Sequence, residues 1–126
     1  MARVSTVRGD IDSAALGATL MHEHVFVLSP EINQNYPETW GDENSRVEDA
    51  VRQLRLLKSG GIDSIVDMTV LGLGRYLPRI RRIADRVDLH ILVATGMMAC
   101  GELPAFFRSR RASSRTRPPR DLVDMF

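Results

Sequence analysis

The sequence predicts an α/β fold built on parallel strands, and three observations carry that prediction. Short apolar runs suited to strands, at 17–23, 62–68 and 89–94, are separated by stretches with helical periodicity. The strand–helix–strand–helix–strand order, with such apolar strands, argues for parallel βαβ units. The third run, Leu89 to Ala94, is almost wholly apolar apart from His90, as expected of a strand buried on both faces. Three such strands leave two sheet edges open, which predicts an unfinished domain.

Each element can be placed in turn. Val4-Ser5-Thr6-Val7 and Gly9-Asp10, ahead of Leu16 to Leu20, predict a small N-terminal β-ribbon leading into the first strand. That strand runs into His22-Glu23-His24, and a polar, proline-containing loop follows from about Ser29 to Asn44. Ser45 with Glu48 three residues later forms a capping-box pattern. Val47, Ala50, Val51, Leu54 and Leu57 then give one apolar helical face, and Gly60-Gly61 supplies the stop. Pro78 marks the start of a second helix whose buried side is Ile80, Ile83, Ala84 and Val87. Beyond Pro104 periodicity disappears. Residues 108–120 are arginine, serine and proline and predict a loop, while 121–126 predict the start of another helix.

Composition excludes several classes. The chain has 126 residues, 44% of them hydrophobic and 26% charged, with a net charge of +1, so it fits one ordinary globular domain at most. No apolar run approaches the ~18 residues of a membrane span. The N-terminal Met1 to Ser5 lacks the apolar stretch of a secretory signal, and one cysteine, Cys100, excludes an internal disulfide framework. A cytoplasmic setting is the expectation. Six arginines and no acid lie within 108–120. No aromatic residues are interleaved with them for base stacking, so nucleic-acid binding is not expected.

The chemistry concentrates at His22-Glu23-His24. Residues i and i+2 of a strand share a face, so two imidazoles project together while Glu23 points away. Two neutral imidazoles on one rigid face are half of a site for zinc or a related divalent cation. Their place at the C-terminal end of a strand adds to that reading, because barrel enzymes put reactive groups there.

Gly17-Ala18-Thr19-Leu20-Met21-His22-Glu23-His24-Val25-Phe26-Val27 resembles the opening signature of the phosphotriesterase family, within the amidohydrolase superfamily. The likeness continues through Glu31 to Glu38, Trp40-Gly41-Asp42-Glu43, Ile65 to Val70, Gly72-Leu73-Gly74-Arg75 and Ala94-Thr95-Gly96. Within that family it resembles the phosphotriesterase-like lactonases in particular. It covers about residues 3–107 and returns at 121–126, similar to the start of the family's third barrel helix. The resemblance implies the N-terminal part of a (β/α)₈ TIM barrel. It also implies two metal ions, zinc in the first instance, with His22 and His24 as ligands of the more buried ion. Hydrolysis of a lactone or an organophosphate ester by metal-bound hydroxide would be the activity. A family-like homodimer would be the assembly.

Departures from the family pattern limit the carry-over. The family bridges its metals with a lysine of the fourth strand and completes the site from the fifth, sixth and eighth. None of those strands is present, so 1–126 reads as an incomplete N-terminal segment that is inactive alone. The single lysine, Lys58, sits at the end of the first long helix, and His90 begins the third strand, away from the site end. Asp67, inside the second strand, reads as a hydrogen-bonded structural carboxylate. Met98 and Cys100 occupy the second and fourth positions after Gly96, where lactonase-like members carry substrate-contacting aromatics, so these two are the candidate substrate-binding residues. A methionine cannot donate the hydrogen bond that a tyrosine hydroxyl would. The alternative to a hydrolase is a non-catalytic binding or oligomerising module derived from such a barrel.

Overall fold

The computed structural model describes residues 2–98. Cys100, the segment 108–120 and the expected helix start at 121–126 lie outside the described residues. Strands β1 (Arg3–Thr6) and β2 (Gly9–Asp12) pair antiparallel as the expected ribbon. β3 (Thr19–Glu23), β4 (Ser64–Asp67) and β5 (His90–Val93) form a parallel sheet in the order β3-β4-β5. Helix α2 (Glu43–Ser59) links β3 to β4, and α3 (Leu77–Ala84) links β4 to β5. This is the strand–helix alternation of a (β/α)₈ barrel, seen over its N-terminal part.

Both long helices lie on one side of the sheet. Val47, Ala50, Val51 and Leu54 of α2, with Ile80, Ile83 and Ala84 of α3, pack with Ile65 and Ile91 in one core. Ile65 and Ile91 are register partners, so parallel pairing sets them side by side on the helix-facing surface. The ribbon closes the opposite end of the strands. Val7 donates its N–H to the Ile91 carbonyl at 2.9 Å, and the Arg8 guanidinium donates to the carbonyls of Val87 and Leu89 at 2.9 and 3.2 Å. Among the described residues no helix is long and apolar enough to cross a membrane.

Three expectations need correction. The stretch from Ser29 to Asn44 is not simply loop, because Pro30 opens a short helix, α1 (Pro30–Asn35), and a 3₁₀ turn covers Pro37–Thr39. Helix α2 begins earlier than the Ser45 pattern implied. Its cap is Asp42, whose carboxylate accepts from the Ser45 N–H at 2.7 Å and the Ser45 hydroxyl at 2.8 Å. A carboxylate held by both donors is the stronger acceptor, so the serine serves the cap rather than being it; the same bonds draw the Asp42 pKa below its ordinary value. Finally, β5 is not covered on both faces. Leu89 and Ile91 are buried and Val93 packs against the same core, but Leu92, on the opposite face, is only half-buried, because the helices cover one surface of the sheet.

Candidate metal centre at the end of the first parallel strand

The site is set by an irregularity in β3. Leu20 pairs with Ile65 and Glu23 pairs with Asp67, so three residue steps on β3 answer two on β4. Strict alternation from Leu20, which packs against the core, would return His22 to the core side. The additional residue breaks that alternation. Met21 and His22 are consecutive and both exposed, Glu23 is half-buried, and His24 is exposed again. Bulges of this kind commonly re-aim a side chain beside a functional site.

The outcome is an imidazole pair. The His22 and His24 rings lie 5.4 Å apart between centroids, at 70° to each other. Two imidazoles sharing a tetrahedral ion, with metal–nitrogen bonds of about 2.0–2.1 Å, have centroids on the order of 5 Å apart. The centroid separation of the pair matches that of two imidazoles on one shared ion. Among the described residues no group of three or more His, Cys, Asp or Glu side chains gathers as a full ligand set. The described residues offer two imidazoles here, and a closed site takes four ligands.

Behind His24 stands a hydrogen-bonded group that the sequence does not advertise. His24 Nδ1 lies 3.0 Å from Thr69 Oγ1, and the Thr69 hydroxyl donates to the Phe26 carbonyl at 3.2 Å. The Thr69 N–H donates to Asp67 Oδ1 at 3.0 Å, with Asp67 2% and Thr69 6% exposed. Asp67 thus has the structural, hydrogen-bonded role expected of it. Thr69 is found only once β3 and β4 are set in register, being 45 residues from its partner.

The loops beyond the strand ends brace this end of the sheet. Leu28 donates its N–H to the Leu73 carbonyl at 3.1 Å, and Gly74 adopts φ +89° with the Leu28 carbonyl and side chain filling the space a β-carbon would take. Any side chain there would overlap Leu28. Leu71 bridges to Met97 in parallel, and the Met98 N–H donates to the Leu71 carbonyl at 2.7 Å. Met98 is 47% exposed at this same end of the sheet and packs over Gly72.

Arg79 is the polar residue that sequence periodicity misses. It is 7% exposed, donates to Glu43 at 2.6 Å, and faces the rings of Trp40, Phe26 and Tyr76 at 5.0, 5.4 and 5.4 Å. Its spacing from Ile83 places it on the apolar face of α3, which is the only signal the sequence offers. The Arg79 hydrogen bond, chief among the causes, holds the Glu43 pKa below the ordinary carboxylate value. Lys58 lies elsewhere, donating to Asp63 at 2.8 Å ahead of β4, and that bond lowers the Asp63 pKa. His90, whose N–H donates to the Asp63 carbonyl at 2.9 Å, shares that end. Neither approaches the histidine pair along the strands.

Known proteins give the geometry its setting. The chain is 50% identical over 126 residues to the phosphotriesterase homology protein of Mycobacterium tuberculosis, covering all of this chain and 39% of that protein. It is 30% identical over 103 residues to an aryldialkylphosphatase of Saccharolobus solfataricus, covering 82% of this chain and 32% of the relative. The solved structure of the phosphotriesterase from Mycobacterium tuberculosis superposes with a TM-score of 0.82 at 55% identity, over 84% of this chain and 33% of that one. The chain thus spans about two-fifths of the length of its curated mycobacterial relative. With the sequence profile of the phosphotriesterase family matched over residues 2–126, the chain belongs to that family.

Proposed function

We propose that this chain contributes the first two metal ligands, His22 and His24, of a metal-dependent hydrolase acting on small phosphotriester or lactone substrates. One observation carries the reading. The two exposed imidazoles sit at the C-terminal end of the first parallel strand, with a separation that suits one shared cation. A bound divalent ion, zinc by the nature of two imidazole donors, would acidify water and polarise the ester. The residues here hold and aim that ion's ligands. The phosphate-ester reading draws on the aryldialkylphosphatase likeness, and the lactone reading on the sequence motifs. Met98, exposed at the same end, is a wall for substrate rather than a hydrogen-bond donor to it. Cys100 is proposed for the same wall from its sequence position alone.

Zinc titration into the wild type and the His22→Ala/His24→Ala double variant tests this reading. The expected result is weak binding by the wild type, because two ligands fall short of the three used in catalytic sites, and none by the variant. Equal binding by both proteins would remove the pair from the site.

A further inference from the structure

We propose that Thr69 is a positioning residue that fixes His24 in the Nδ1–H tautomer and thereby presents Nε2 as the bare, metal-binding nitrogen. The proposal rests on the metal reading above and adds the group that selects between the two ring nitrogens. A threonine hydroxyl has one proton to give and lone pairs with which to accept, whereas a carbonyl can only accept. Thr69 Oγ1 lies 3.2 Å from the Phe26 carbonyl and 3.0 Å from His24 Nδ1. If the hydroxyl proton points at Phe26, Thr69 must accept from His24, so Nδ1 carries the proton. Both contacts are then hydrogen bonds. If the hydroxyl proton turns to Nδ1 instead, the Phe26 carbonyl loses this donor and one bond disappears. One hydrogen bond's worth of free energy is a bias of about tenfold between the arrangements.

The hydroxyl cannot easily swing away from this task. Thr69 is buried, and its N–H is bound to the buried Asp67 carboxylate, which anchors the backbone that carries it. In a neutral ring with Nδ1 protonated, the lone pair lies on Nε2, on the far side of the ring from Thr69. Metal-ligating histidines generally donate their other ring N–H to such an acceptor, which fixes orientation and raises ligand basicity.

The test is heteronuclear NMR of the imidazole nitrogens in the metal-free 126-residue chain, in mildly alkaline buffer where imidazole is neutral. His24 signals are identified by their loss in His24→Ala. The wild type should show mainly the Nδ1–H form, Thr69→Val should move the proton to Nε2, and Thr69→Ser should restore the wild-type pattern. Zinc binding should weaken about 10–100-fold in Thr69→Val and recover in Thr69→Ser. A wild-type ring protonated on Nε2 overturns the proposal whatever the variants do. So does an unchanged tautomer in Thr69→Val. If Thr69→Val does not fold, the wild type and Thr69→Ser still decide the tautomer. A correct tautomer pattern with no zinc bound would instead overturn the metal reading and leave the assignment of Thr69 standing.

Discussion

The Arg79 guanidinium lies between three aromatic rings and one carboxylate, and the balance of its surroundings explains how a charge occupies a core position. Burial of an unpaired cation would be costly, but here Glu43 supplies the countercharge and the faces of Trp40, Phe26 and Tyr76 supply electron-rich walls. Arg79→Met keeps most of the stem and deletes the charge. Glu43 remains about a third exposed and can turn to water, so the loss should stay below that of a fully buried pair, on the order of 1–3 kcal/mol. Trp40, the single tryptophan, is a built-in reporter. Its emission should shift to the red and its near-ultraviolet dichroism weaken in Arg79→Met. Arg79→Lys should behave similarly, since an ammonium lacks the planar face that stacks. An unchanged Trp40 spectrum in both variants would show that the ring cluster holds without the guanidinium. The sequence conceals this role because an arginine within Arg79-Ile80-Arg81-Arg82 looks like solvated surface.

Helix α2 is joined to α3 and to the turn that follows α3 by charge pairs as well as by apolar packing, and those pairs make the contact acid-sensitive. Glu43 accepts from Arg79, and Glu48 accepts both arms of Arg86 at 2.6 Å. Hydrogen bonds from these arginines hold both carboxyls below their ordinary pKa values. A depressed carboxylate pKa adds stability above the unfolded value and loses it as pH falls through the native one. The thermal midpoint should therefore be level near neutrality and fall below about pH 4. Glu43→Gln should melt lower at neutral pH and show a shallower acid decline; a decline as steep as the wild type's would assign the acid sensitivity elsewhere. Glu48 is largely exposed, so its share is screened. At this scale the sequence was most informative. Apolar periodicity placed α2, α3 and all three parallel strands to within a few residues, because the core faces repeat at 3.6 and at 2. The shared face of His22 and His24 was legible for the same reason. What broke the period was not. The irregularity in β3 and the Thr69 contact depend on how β4 lies beside β3, which no local pattern encodes.

Taken whole, the described residues form a sheet with helices on one surface and little on the other. Met21 is 69% exposed, and Val66 and Leu92 are only half-buried on the surface away from the core. The β3 and β5 edges also have no strand partner among the described residues. Open edges beside apolar surface favour association. The 126-residue chain studied alone should elute as a folded oligomer, and a monomer on sizing would contradict that. It should hydrolyse neither a phosphotriester nor a lactone panel above buffer when zinc, cobalt or manganese is added, because two imidazoles do not complete a catalytic ligand set. Metal-dependent turnover abolished by a chelator would overturn this expectation.

The uneven pairing of β3 with β4 means that the strand has slack. Removing a residue from a paired strand ordinarily rotates everything after it to the wrong face. Here the ladder already holds one residue more than it needs between Leu20 and Glu23. Deleting Met21 would let Leu20 keep Ile65, let Glu23 keep Asp67, and set His22 opposite Val66 in an unbroken ladder. The two imidazoles should stay together, with ring-to-ring nuclear Overhauser contacts retained in the shortened chain. A loss of chain length that would scramble most strands should, at this one point, be absorbed.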